Sequence, residues 1–334
     1  MELIESIFKL KDHKTSFKKE ILAGLATFLT MAYIMVVNPA ILSETGMDFD
    51  SVFVATILAS FVACMLMGIL ANWPVALAPG MGLNAFFTYA VVFGMGFTWQ
   101  QALAAVLCSG ILFLLISISP LRAYLINAIP RSLKFGIGAG IGLFLAIIGL
   151  KNAGIVVDNP ATLVGLGDLK SAPVLLALLT FTLMIALDKL KIPGAIVISI
   201  LATTIIGFVF GVAQFQGVAS SIPSMSPTFM QLDFSSLGSS LFLIVIFTIL
   251  FVDFFDTAGT LTSVANLSGK IDKNGNVENI QKAVFSDSIA TIVARYLVPL
   301  IPHHTLSLEL ELKKVEKRDW LLYRLVYFFF YVYF

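Results

Sequence analysis

Charge is scarce in this chain. Aspartate, glutamate, lysine and arginine make up 12% of its 334 residues, against about 25% in a soluble domain. Hydrophobic residues reach 58%, and the mean hydropathy is +0.96. This composition excludes a water-soluble globular domain and predicts an all-α polytopic membrane protein with the lipid bilayer as its medium. A net charge of +1 gives no basic footprint for nucleic acid, so none is expected as a partner. Cysteine is limited to Cys64 and Cys108. Both lie in apolar helical segments, where the thiol is a small core residue rather than half of a disulfide. Histidine is also rare, and the adjacent pair His303-His304 fixes no coordination sphere, so neither metal nor cofactor is expected. No cleavable signal is visible. The first apolar stretch follows a leader bearing Lys9, Lys11, Lys14, Lys18 and Lys19 and is too long for a signal-peptide core.

Long apolar runs are what the chain has. A span needs about 20 mostly apolar residues. Candidates are 21–42, 51–71, 75–93, 100–119, 133–150, 172–188, 194–213, 238–260 and a short 281–294. Residues 120–132, with Arg122 and Arg131, are too short and charged to span and read as an interfacial amphipathic piece. Cytoplasmic loops collect lysine and arginine. With the N-terminus inside, one side carries the five leader lysines, Arg122, Arg131, Lys134, Lys189, Lys191, Lys270, Lys273 and Lys282, and the other side only Lys151 and Lys170. The orientation follows: N-terminus cytoplasmic, in the plasma (inner) membrane. The loop 268–280 lacks the closing glutamate of a calcium loop and reads as an Asn-Gly turn.

Three features carry chemistry. Leu241 to Thr260 reads LFLIVIFTILFVDFFDTAGT, with Asp253 and Asp256 three residues apart on one helical side. A carboxylate inside a span costs about 2.5–3.5 kcal/mol on insertion scales and normally faces a bundle interior or a watery cavity. The rival reading ends the span near Val252 and leaves both aspartates among headgroups, yet the chain stays uncharged from Thr257 to Ala265. The second feature is WPVALAPGMGLNAFFTYA at 73–90, in which Pro74, Pro79, Gly80 and Gly82 break a helix just before Asn84. Irregular backbone at membrane depth is tolerated where it lines a cavity or is buried in protein, and such a segment points to a transporter's binding site. The third is Asn38-Pro39 in the first span, placed much as the aspartates are in theirs, which suggests an inverted repeat. Gly136, Gly138, Gly140 and Gly142 read as small-residue helix packing rather than a phosphate loop.

The segments ILAGLATFLTMAYIMVVNPAIL (21–42), APGMGLNAFFTY (78–89) and FVDFFDTAGTLTSVA (251–265) resemble the AzgA-like branch of the nucleobase–cation symporter family 2, the adenine, guanine and hypoxanthine permeases. The resemblance runs from about residue 5 to 293. It implies a fold of 7+7 inverted repeats, with a core domain rocking against a gate domain and short extended segments breaking the third and tenth spans. It divides the chain into a cytoplasmic leader 1–19, core spans 1–4 at 20–120, gate spans 5–7 at 121–215, core spans 8–9 at 236–293, and a tail 294–334. It makes Asn84 a purine ligand flanked by Gly82 and Ala85 backbone. Asp253 or Asp256 becomes the acidic partner of the base or of the coupled proton, with Thr257 beside them. The partners implied are a purine base and protons, and self-association into a homo-oligomer is left open. The chemistry is consistent: a carboxylate and an amide can pair two-pronged with a purine edge, and a desolvated carboxylate can load and release a proton near neutral pH. The expectation is a transporter, not an enzyme. Intramembrane aspartyl proteases need aspartates on two facing helices, and these share one.

The resemblance stops where ARYLVPLIPHHTLSLELELKKVEKRDW begins. Read one base earlier, permitted codons for Leu297 to Leu312 give GTSNTTSYIESGAGV, the family's tenth-span motif. The expectation is loss of one base near codon 293 and a frameshifted tail. Such a chain lacks the tenth-span glutamate and the second gate half and is expected not to transport. The alternatives are a non-functional truncated membrane fragment, or a transporter of anions or other solutes with the same fold. Acidic residues in the cavity argue against an anion.

Overall fold

The structure, a computed structural model, describes residues 22–118, 140–213, 223–268, 285–289 and 302–304, apart from 23, 26, 30, 72–75, 141, 142, 144, 145, 161, 193 and 287. The expectations for the leader 1–19, the amphipathic piece 120–132, Gly136, Gly138 and Gly142, the loop after residue 268 and most of the tail fall outside these residues. The chain divides into two compact units, one of Met1–Lys134 with Pro223–Phe334, the other Phe135–Ile222.

In the first unit, α1 (Ile34–Ser43) contains Pro39, whose ring carries no N–H and so frees the carbonyl one turn back. Helix α2 (Phe49–Leu66) opens on Asp48, whose carboxylate accepts from the Ser51 N–H, and continues as a π-helix over Met67–Ala71. The third span is broken as its prolines and glycines predict. A three-residue strand β1 (Leu77–Pro79) is followed by one short helix α3 (Met81–Ala85) and a π-helix over Phe86–Gly94. Helix α4 (Trp99–Ile118) packs against a later helix of the same unit.

The second unit holds a hairpin of β2 (Val156–Asn159) and β3 (Leu163–Leu166), antiparallel with Val156 opposite Leu166, and then α5 (Ala172–Lys189) and α6 (Ala195–Val209), which pack together. The hairpin has no counterpart in the sequence reading. It closes at Gly167, where a Cβ would collide with the Gly154 carbonyl oxygen. Thr180 and Thr203 join α5 to α6 by a 2.9 Å hydroxyl bond. Gly140 is exposed, with open space among the described residues where a side chain would stand.

Back in the first unit, α7 (Ser240–Ser268) runs unbroken for 29 residues, about 43 Å at 1.5 Å per residue. Strand β4 (Pro302–His304) pairs antiparallel with β1, Leu77 opposite His304 and Pro79 opposite Pro302. The ladder uses backbone groups, so tail residues unlike the family pattern can still form it. Among the described residues, three helices are long and apolar enough to cross a membrane, Phe49–Ala71, Trp99–Ser117 and Ala172–Lys189. Thr27–Ser43, Met81–Gly94, Ala195–Val209 and Ser240–Phe255 are shorter and apolar.

Candidate functional site

The first unit's interior holds two apolar clusters. One gathers Ile34, Ile57, Cys64, Ala78, Leu250 and Phe254; the other gathers Leu42, Val52, Leu83, Phe87, Val245 and Ile249. Helices α1, α2 and α4 each reach from one cluster into the other and carry a buried polar residue between them. On α1 it is Asn38, between Ile34 and Leu42. On α2 it is Thr56, between Val52 and Ile57. On α4 it is Ser109, between Val106 and Phe113, while Asn84 of α3 stands next to Leu83 of the second cluster and Asp253 of α7 stands between Leu250 and Phe254 of the first. Asn38, Thr56 and Asp253 are 0% exposed and Asn84 is 1% exposed. Buried polar groups must find partners, and three of these find one another. Asn84 Nδ2 donates to Asn38 Oδ1, and Asn38 Nδ2 donates to Thr56 Oγ1 at 2.9 Å. Thr56 Oγ1 donates to the Val52 carbonyl at 2.7 Å.

On α7 the buried positions are Phe242, Val245, Ile246, Ile249, Leu250, Asp253, Phe254 and Thr257, while Leu241, Leu243, Ile244, Phe247 and Phe251 are exposed. The spacing is that of one helical face, and Asp253 and Thr257 lie on it. Asp253 also falls near the midpoint of α7. The helix does not stop near Val252, and Asp253 is buried on its inner face. Asp256 sits on the same helix, but its side chain lies outside the described residues.

Helix α3 packs against both α1 and α7, so the broken span and the aspartate-bearing span are neighbours. Gly82 is half-buried in the first turn of α3, where backbone N–H groups have no helical partner. Ala85 is fully buried at the end of that helix, its N–H inside the ladder. The extended segment is held by Cys64 of α2. Its Sγ donates to the Leu77 carbonyl and accepts from the Leu77 N–H, each at 3.3 Å. Cys64 is buried, Cys108 is half-buried, and the two form no disulfide. Sequence reasoning missed Thr56. A lone threonine in an apolar span normally satisfies itself on its own helix, as Ser60 does on the Thr56 carbonyl, so the sequence holds no sign that Thr56 also serves Asn38.

Comparison with known proteins gives a consistent result. The profile of the Permease family (Xan_ur_permease) matches residues 18–307, past residue 293 where the motif resemblance stops. The putative permease MJ0326 of Methanocaldococcus jannaschii is 46% identical over 298 residues, 89% of this chain and 68% of that protein. The adenine permease AdeP of Escherichia coli is 41% identical, over 88% of this chain and 66% of its own length. The guanine/hypoxanthine permease PbuO of Bacillus subtilis is 44% identical, over 86% and 68%. The chain thus spans about two thirds of the length of these relatives. Among solved structures, the transmembrane domain of the cyanobacterial bicarbonate transporter BicA matches with a TM-score of 0.67 over 94% of this chain and 82% of that one; at 14% identity the likeness is one of fold.

Proposed function

This chain belongs to the permease family, and from that premise we propose that its first unit carries the substrate side of a purine-base transporter driven by protons. It is a membrane protein and not an enzyme. Relatives over the same stretch are named for adenine and for guanine and hypoxanthine, and the substrate proposed here is one of these bases. The observation that carries the reading is a pair of fully buried polar side chains set among apolar clusters. An amide at 1% exposure and a carboxylate at 0% exposure stand on adjacent elements of one membrane-embedded unit. Burial of this kind is costly and is retained where it serves. In this reading Asn84 and the Gly82 backbone pair with the base. Asp253, with Asp256 and Thr257 further along α7, supplies the acidic partner and the proton site, and Ala85 closes the apolar wall.

The fold proposed is the 7+7 inverted repeat, with the N-terminus cytoplasmic in the inner membrane. The division into two units supports core and gate roles for them. The pairing of β1 with β4 supports a meeting of two broken spans. The residues from about 294 are proposed to be read out of frame. They replace the glutamate-bearing motif, so the chain as written is proposed not to transport.

The test uses the gene with one base restored near codon 293, expressed in cells that take up no purines. Asp253→Asn and Asp256→Asn are made separately, and uptake of labelled adenine, guanine and hypoxanthine is followed across pH. At least one substitution should flatten the pH dependence and lower the rate. Unchanged pH-dependent uptake in both would overturn the proton role. Uptake by cells expressing only the chain as written would overturn its inactivity.

A further inference from the structure

The hydrogen bonds among Thr56, Asn38 and Asn84 have a direction, and one backbone atom sets it. The Val52 carbonyl can only accept, and the hydroxyl proton of Thr56 is given to it at 2.7 Å. Towards Asn38, Thr56 Oγ1 can then only accept, and Asn38 must present its NH2 group, as it does at 2.9 Å. An amide carries donor and acceptor on opposite arms. Asn38 therefore turns Oδ1 to Asn84, and Asn84 must answer with its own NH2 group. Asn84 Oδ1 remains, and it takes no hydrogen bond among the described residues. Amide orientations are assigned from their bonding network, and the bond from the Thr56 hydroxyl to Val52 selects this one.

We infer that Asn38 and Thr56 are positioning residues that lock Asn84 as a hydrogen-bond acceptor towards the bound base, and that this polarity sets which purine edge the site takes. The inference rests on the purine reading above. The bases in question differ in this respect. A 6-aminopurine offers a donor at position 6 and an acceptor at N1. A 6-oxopurine offers an acceptor at position 6 and a donor at N1. An amide turned end for end exchanges complementarity between them. A buried site that mispairs a polar group pays for leaving it unsatisfied, which makes such a relay selective rather than merely adhesive. Thr56 touches no substrate in this scheme; it acts through Asn38, and Asn38 acts through Asn84.

The experiment measures dissociation constants of labelled adenine and hypoxanthine for the purified full chain in lipid nanodiscs. Wild type is compared with Thr56→Val, which keeps the shape and loses the hydroxyl, and with Thr56→Ser, which keeps the hydroxyl. Thr56→Val releases the Asn38 amide, and the adenine-to-hypoxanthine affinity ratio should move by about tenfold; Thr56→Ser should restore the wild-type ratio. Asn38→Leu cuts the relay at its middle and gives the same comparison if Thr56→Val does not fold. An unchanged ratio, or equal weakening of both bases, overturns the relay and leaves the purine reading standing. If wild type binds neither base, the purine reading falls for this chain, and the relay is decided without ligand in protein labelled with ¹⁵N-asparagine. Side-chain amide protons of Asn38 and Asn84 that exchange slowly in wild type and Thr56→Ser but fast in Thr56→Val support it. Equal protection in all three overturns it.

Discussion

The Cys64 thiol grips both backbone groups of Leu77, the first residue of the extended segment that breaks the third span. Backbone at this depth has no water to bond, so a side chain that serves an N–H and a C=O together fixes the break in place. Cys64→Ala should lower the thermal midpoint of the solubilised chain by the equivalent of about 1–3 kcal/mol. Cys64→Ser should keep part of that stability. Asp253 points the other way. A carboxylate at the centre of a span costs about 2.5–3.5 kcal/mol on insertion scales, and Asp253 is fully buried on its helix. Asp253→Leu should raise the thermal midpoint while abolishing uptake in the frame-restored protein; a lower midpoint would mean that the carboxylate stabilises the fold. Of these residues, Asn84 and Asp253 were legible in the sequence because polarity inside an apolar run is conspicuous. Cys64 and Thr56 were not, since a thiol or hydroxyl passes for core or for a self-satisfied helix residue.

Helix α2 begins where Asp48 caps it. The Asp48 carboxylate accepts from the Ser51 hydroxyl and N–H, which holds its pKa below the ordinary carboxylate range. The single Ser51 hydroxyl proton is shared with the Ser224 carbonyl, 2.9 Å from Ser51 Oγ, which ties the cap to the segment before α7. Asp48→Ala should cost about 1 kcal/mol. Because the folded-state pKa is lowered, the contribution is present in full above the unfolded value of about 3.9 and is lost as pH falls through the lowered one. The stability gap between wild type and Asp48→Ala, measured by thermal unfolding, should therefore hold from neutral pH down to about 4 and close below it. The break at Leu77–Pro79 was readable because proline and glycine act locally. The interior face of α7 was not. In a bilayer the lipid-facing and protein-facing sides are both apolar, so Phe247 and Ile249 look alike in sequence while one is half exposed and the other buried. The β2–β3 hairpin was also hidden, its strands being too short and irregular to show a period.

The whole molecule raises the question of reading frame. Permitted codons from Leu297 onward contain the tenth-span motif one base out of register. The nucleotides from codon 288 should show that motif in the shifted frame, and restoring one base should restore purine uptake; no such motif in any frame would remove the frameshift. The strand at Pro302–His304 fits either outcome, because a two-stranded ladder needs N–H and C=O groups in place, not particular side chains. The sequence by itself determined the membrane class, the family, the broken span and the polar residues worth attention. Composition, helix-breaking residues and motif identity are properties of the chain before it folds. Only the tertiary structure decided that Asn38, Thr56 and Asn84 form one directional relay, that Asp253 faces the interior, and that Cys64 holds the break. Each of these depends on which face of a uniformly apolar helix turns inward, and in a membrane that choice is made by packing between helices rather than by the pattern along any one of them.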